Sequence, residues 1–230
     1  MLSVIKKIFA SIVKITSLIA YMNFRYAIAT KTELKIILGA GGQSYKGWIP
    51  SDKNYFDITN DQHWKKWFKG KKVVNILAEH VLEHIDSGKI LTVFKSAYKY
   101  MCKNGIFRVA VPDANHPSAY VRELIKPGGS EPGAEDHKIF FSIQMMENIA
   151  KQVGFKINKI EYFDNNGIFH TKRWDDKNGH IERCSKNYKG RFTQHPNEMK
   201  KLFNTTSLKL KNQFKIHNIS YTSLLIDFKK

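Results

Sequence analysis

The sequence predicts an α/β fold: an open, mostly parallel sheet with helices on both faces, a final antiparallel strand and an amphipathic helix in front. Three observations predict it. Apolar runs of strand length recur at 34–38 (LKIIL), 73–78 (VVNILA) and 106–111 (IFRVAV). Each run ends in glycine, proline or polar residues, where a sheet built of buried parallel strands must turn. The segments between and after them carry helical periodicity, and strands alternating with helices form an open parallel sheet.

Residues 1–29 place Ile5, Ile8, Phe9, Ile12, Ile15 and Ile19 at helical spacing, interrupted by Lys6, Lys7 and Lys14. No uncharged span reaches the roughly 18 residues a transmembrane helix needs. Two readings remain for this helix. It docks on the domain with its apolar face, or it lies in a membrane interface with its basic face toward anionic lipid. The chain therefore divides into a helix at 1–30 and one domain at 31–230.

The first strand, 34–38, stops at Gly39-Ala40-Gly41-Gly42. A second strand is expected at 48–52, after only nine residues, 39–47. A parallel crossover commonly takes about a dozen residues, so this one is truncated. Pro50 makes the second strand an edge. The spacing also argues against the dinucleotide fingerprint, which wants a full helix and an acid about 20 residues on. Residues 55–59 read as another short strand, and 60–69 as a short helix packing Trp64, Trp67 and Phe68, with His63, on one face.

The strand at 73–78 ends in Glu79-His80-Val81-Leu82-Glu83-His84. Asp86-Ser87 caps the next helix, whose face is Ile90, Leu91, Phe94, Ala97, Tyr98 and Met101, and Asn104-Gly105 ends it. The strand at 106–111 stops at Pro112-Asp113. Pro127-Gly128-Gly129 and Pro132-Gly133 punctuate a loop. Ser142 caps a helix at 143–153 that Gly154 ends, and 155–163 is a strand. Residues 164–216 are polar and show no clear element; 220–228 is the last, antiparallel strand.

At 230 residues the chain can bury the core of a single domain. Its 38 basic against 20 acidic residues give a formal charge of +18. That excess suits an anionic partner: a membrane surface, an acidic glycan or RNA. Only six of the 38 are Arg, the residue suited to bidentate phosphate and base recognition, which argues against nucleic acid. Cys102 and Cys184 carry no disulfide pattern and read as reduced thiols of a cytoplasmic protein.

Two stretches carry chemistry. A strand running into a glycine turn is where α/β sheets bind nucleotide-like ligands. Glycine adopts positive φ freely and lets a flat ligand approach the backbone. The second stretch, His80-Val81-Leu82-Glu83-His84, matches the H-x-x-E-H pattern of inverted zinc peptidases. Such a site needs a third protein ligand, and the sequence nominates none, so no metal is assigned. The competing reading gives both histidines capping and packing roles at a strand–helix junction.

Taken together these segments resemble the class I S-adenosylmethionine-dependent methyltransferases of the type 11 sort, and most nearly a bacterial group associated with surface-polysaccharide pathways. The residues that carry the resemblance are Leu38-Gly39-Ala40-Gly41-Gly42, Gly47-Trp48-Ile49 with Asp52, Asp57-Ile58-Thr59, the Ala78–His84 run, Arg108-Val109-Ala110-Val111-Pro112-Asp113 and Asp136-His137-Lys138. It implies a Rossmann-like fold and S-adenosyl-L-methionine as cofactor. Gly39, Gly41 and Gly42 would cradle its methionine end, Asp52 would accept from the ribose hydroxyls, and Asp57 or Ile58 would border the adenine. Glu79 and His80 would lie near the transferred methyl. The opposing structural readings are a turn role for Asp52 and a cap role for Asp57.

The implied reaction is methylation of an oxygen on a saccharide or related small acceptor. His80, His137 and Asp113, with His116, are the candidate bases, because a hydroxyl acceptor is helped by a base that titrates in range. Asp113 and His116 follow a strand and are expected to face the pocket. Arg183-Cys184-Ser185 and Gly190-Arg191-Phe192 match the group's C-terminal signature only in part. Two further functions stand beside this one: a non-catalytic module of the same fold working at an anionic surface, and an RNA methyltransferase.

Overall fold

The computed structural model describes residues 2–187, 204 and 222–230, with side chains from Lys14 onward. The elements in chain order are α1 (Leu2–Thr30), β1 (Glu33–Ile37), β2 (Ile49–Pro50), α2 (Asp61–Phe68), β3 (Lys72–Glu79), α3 (Ser87–Tyr100), β4 (Met101–Val111), α4 (Ala119–Ile125), α5 (Ile143–Val153), β5 (Lys156–Phe163), β6 (Phe169–Thr171) and β7 (Leu224–Lys229). The strands form one sheet in the order β2-β1-β3-β4-β7-β5-β6. β2, β1, β3 and β4 pair in parallel. β7 is antiparallel to both β4 and β5, and β6 is antiparallel to β5. This is the open, Rossmann-like sheet the sequence predicts, with the antiparallel strand inserted between β4 and β5.

The strand runs are mostly apolar because both faces of the sheet are covered. On one face Leu34, Ile36, Val73, Ile76, Phe107, Val109, Ile226 and Phe228 join a core with Phe24 and Ile28 of α1, Trp64 and Phe68 of α2, Phe94 of α3 and Met146 of α5. On the other, Ile37, Leu77, Ala110, Ile160 and Leu225 pack with Trp48, Ile181 and Cys184, flanked by Tyr45 and Trp174. Among the described residues this second face is covered by the glycine turn and a strap of chain, residues 174–187, that has one short 3-10 turn (Asp176–Asn178) and no α-helix.

Buried charges hold the strap. Arg108 donates from Nε and Nη2 to Asp227, its register partner on β7, at 2.7 and 2.9 Å, and from Nη1 to the carbonyls of Asp175 and Gly179. Trp174 lies over the guanidinium. Glu161 of β5 accepts from the N–H and hydroxyl of Ser185, both at 2.9 Å, and from Thr222.

α5 begins and ends where the sequence places its caps, whereas Asp86 precedes α3 without a side-chain capping bond. Ser142 Oγ accepts from the Met145 N–H at the start of α5, and Gly154 (φ +97°) closes it in the left-handed region. Other expectations differ, the second strand being only Ile49–Pro50. Residues 55–59 are turns, not a strand: Asp57 takes the Thr59 N–H, while Trp64 and Trp67 of α2 donate their indole N–H groups to the carbonyls of Ile58 and Tyr55. α3 ends at Tyr100, and Asn104-Gly105 lies in the irregular start of β4, where Asn104 has φ +65° and the pairing with β3 shifts register. α4 and β6 were not foreseen. The last strand spans Leu224–Lys229; the first two residues of the predicted 220–228 and Gly190-Arg191-Phe192 lie outside the described residues.

Candidate functional site

The carboxyl ends of β1 and β3 lie beside the glycine turn and a cavity. The glycine turn leaves β1 with Gly39, Gly41 and Gly42 at φ +53°, +54° and +95°. A Cβ at Gly39 would lie 3.0 Å from the Val81 side chain. The turn is tied down by Leu38 N–H to Leu77 O and Ala40 N–H to Ser51 O, each 2.8 Å. Glycine is required here by backbone conformation and, at Gly39, by close approach to the β3–α3 connection.

The turn separates two cavities. One, of about 230 Å³, is lined by Gly39, Phe56, Asp57, Ile58, Val81 and Ile85, with His84, Lys53, Asp86 and Lys89 among its polar residues. The other, of about 480 Å³, is lined by Gly41, Gly42, Pro50, Asp52 and Tyr55 with Phe24 and Ala27 of α1. The residues expected to share one cofactor slot are thus divided: Gly39 and Asp57 line the first cavity, Gly41, Gly42 and Asp52 the second. Asp52 accepts the Asn54 N–H at 2.9 Å, and Asp57 accepts the Thr59 N–H and hydroxyl at 2.9 and 2.8 Å, so each also makes the turn its residue type favours.

Glu79 lines neither cavity. It is buried, and its two oxygens accept from Gln43 Nε2 at 2.8 Å and from the Arg183 N–H at 2.7 Å. Those bonds tie the glycine turn to the strap. His80 is in the left-handed region at φ +53°, a conformation costing a non-glycine residue about 1–2 kcal/mol. Its Nδ1 lies 3.0 Å from Glu83 Oε1 and its Nε2 2.9 Å from Ser223 Oγ. Ser223 spends its one hydroxyl proton on the Arg183 carbonyl at 2.6 Å, so His80 Nε2 is the donor of that pair.

Asp113 and His116 do not face the first cavity. Asp113 is buried and accepts the Asn115 and Phe163 N–H groups at 2.9 and 2.8 Å, closing the end of β4 onto β5. Burial pushes its carboxyl up to about 7 against those two hydrogen bonds. His116, also buried, accepts the Ser118 N–H and stands edge-on to Phe163. Burial, with Arg122 beside it, pushes His116 down to about 3. Both are buried in the β4–α4 connection.

His137 is brought to the site, by the short turn Ala134–Asp136 that precedes it. Its Nδ1 meets the Ile125 carbonyl at 2.8 Å and its Nε2 is 3.9 Å from Glu83 Oε1. Its ring stands 4.8 Å from that of His84, centroid to centroid. Glu83 has no exposed side-chain surface. Burial works to raise its pKa, but the histidines beside it, His80 above all, outweigh that and hold it below the usual carboxylate range.

Sequence reasoning missed Glu83 and His84 as a pair acting with His137. The signal available was the H-x-x-E-H pattern, whose outer histidines it grouped together; the fold instead groups Glu83 with His84 and His137, all with ligand atoms within 4.8 Å of one another.

No family model and no curated protein matches the sequence. Solved structures are similar to it in fold. A SAM-dependent methyltransferase from Archaeoglobus fulgidus is 13% identical, with 93% of this chain and 94% of that one covered, at a TM-score of 0.44. An O-methyltransferase family protein from Burkholderia thailandensis is 9% identical over 65% of this chain and 54% of that one, at 0.38. A SAM-dependent methyltransferase from Thermotoga maritima is 15% identical over 66% and 79%, at 0.39.

Proposed function

We propose that the chain is an S-adenosylmethionine-dependent methyltransferase of the cytoplasm that methylates an oxygen of a saccharide or related small acceptor. The observation that carries this reading is the cavity between Gly39 and Asp57 at the carboxyl ends of β1 and β3, the place where open α/β sheets take nucleotide-like ligands. Its lining suits a nucleoside: Phe56, Ile58, Val81 and Ile85 offer apolar walls, and Asp57 keeps a carboxylate oxygen for a polar edge. At about 230 Å³ it is smaller than the roughly 300–1,000 Å³ usual for a whole ligand. It therefore holds the adenosyl end, with Gly39 against the ribose side.

The cofactor supplies a sulfonium methyl group. The chain's contribution is alignment, which can supply several kcal/mol. His84, Lys53, Asp86 and Lys89 at the cavity mouth present donors and acceptors to a polyhydroxylated acceptor. His84 replaces His80 and Asp113 as the side chain placed to meet the acceptor hydroxyl.

A second reading has its own observation. Glu79, expected beside the transferred methyl, is engaged by Gln43 and Arg183, which closes the space between glycine turn and strap. A domain that keeps the fold as a non-catalytic module would look like this. Calorimetric titration with S-adenosylmethionine and S-adenosylhomocysteine decides. Saturable binding, weakened about tenfold or more in Asp57→Ala, is expected of the enzyme. No heat from either compound with folded protein would leave the module reading in its place.

A further inference from the structure

We propose that Glu83, His84 and His137 form a divalent-cation site opening on the Gly39–Asp57 cavity. The donors are one carboxylate and two imidazoles, with ligand atoms within 4.8 Å of one another. Ligands bound at about 2.0–2.2 Å from an ion stand roughly 3–3.5 Å apart. Glu83 and His137 are already near that, at 3.9 Å. The remaining adjustment falls to His84, which is exposed on the short 3-10 turn Leu82–His84 and has room to rotate.

Two independent observations point to a ligand. The first is the Glu83 carboxylate. It is fully buried, and the donors beside it are His80 Nδ1, 3.0 Å from one oxygen, and its own backbone N–H, neither of which makes a well-directed hydrogen bond to it. A buried carboxylate normally collects several donors, and a cation supplies what is missing. The second is the orientation of His137. The Ile125 carbonyl can only accept, so the 2.8 Å contact places the hydrogen on Nδ1 and leaves the Nε2 lone pair directed at the cluster. Metal-binding histidines are held in this way, by a backbone carbonyl on the far nitrogen.

Three protein ligands leave a coordination position open, as catalytic rather than structural sites do. His84 lines the cavity, so that position faces it and takes an oxygen ligand, water or a hydroxyl. Mixed imidazole and carboxylate donors select a transition ion such as Zn²⁺, Co²⁺, Mn²⁺ or Fe²⁺ over Ca²⁺ or Mg²⁺. The grouping differs from the zinc-peptidase pattern, since His80 flanks the carboxylate and His137 supplies the third ligand.

The test is titration of the full chain with Co²⁺, followed by visible absorption in the absence of any organic ligand, so its outcome is independent of S-adenosylmethionine binding. One saturable Co²⁺ per chain is expected, with affinity falling at least about tenfold in His84→Ala and His137→Ala. His84 is exposed, so its variant keeps the fold, which circular dichroism checks. His180→Ala, at the exposed Asp176–His180–Glu182 cluster, retains the signal. Absence of saturable binding, full binding by His84→Ala, or loss of the signal in His180→Ala would overturn the proposal.

Discussion

Single residues show how far chemistry can be read from type and position. Glu79 was legible as an acid at the end of a buried strand. Its occupation was not, because one of its partners, the Arg183 N–H, is 104 residues away in sequence. Asp113 was legible as a strand-end acid and expected to face the pocket; it does not line the Gly39–Asp57 cavity, since two backbone N–H groups hold it, which sequence cannot show. The correction has a measurable consequence. A carboxyl raised to about 7 from its usual 3.8 is favoured protonated in the folded state. Its contribution is complete below the unfolded value and is lost as pH rises through about 7. Between about pH 5 and pH 8 the wild type should therefore lose about 2–3 kcal/mol relative to Asp113→Asn in guanidinium unfolding. His116 acts with the opposite sign, losing stability as pH falls below its unfolded value toward about 3, but it is common to both proteins. A pH-independent difference between wild type and variant would refute the protonated Asp113.

Elements were legible where local signals agree with burial. α5 begins and ends at its cap residues, Ser142 and Gly154, and the apolar runs of β1, β3 and β4 are strands. Residues 55–59 failed because their backbone groups are taken by side chains of α2, a tertiary arrangement that short apolar periodicity cannot reveal. The strap failed for a related reason: its attachment is polar and buried, and polar sequence reads as loop. Arg108 is its central anchor. Removing one partner of a buried, bidentate pair leaves the other charge unpaired, at about 3–5 kcal/mol. Arg108→Met should cost that much in urea unfolding, and the double variant Arg108→Met/Asp227→Leu should recover most of it. A single variant within about 1 kcal/mol of wild type would mean that water reaches Asp227 and that the strap is held by other contacts.

The whole molecule presents a mismatch that neither element nor residue resolves. α1 packs Phe24 and Ile28 into the core, yet Ile15, Leu18, Ile19, Met22 and Tyr26 on its other side are 58, 60, 54, 52 and 71% exposed. Their spacing is helical, so they form one stripe, and an exposed apolar stripe of this kind marks an interaction surface. Among the described residues no helix is long and apolar enough to cross a membrane. We propose an anionic lipid surface as the partner, since the chain carries a charge of +18 and a helix with such a stripe can lie with its apolar side in the acyl boundary. Sequence periodicity showed the amphipathic helix but could not say which face the domain would leave bare. Flotation with phosphatidylserine-containing and with purely phosphatidylcholine vesicles tests this. The wild type should float with the anionic vesicles only, and less as salt shortens the screening length. Leu18→Ser/Met22→Ser, on the exposed stripe and away from the core, should abolish flotation without changing the melting temperature. Equal recovery of wild type and variant with anionic vesicles would show that the stripe does not enter lipid, and that basic residues alone account for any binding.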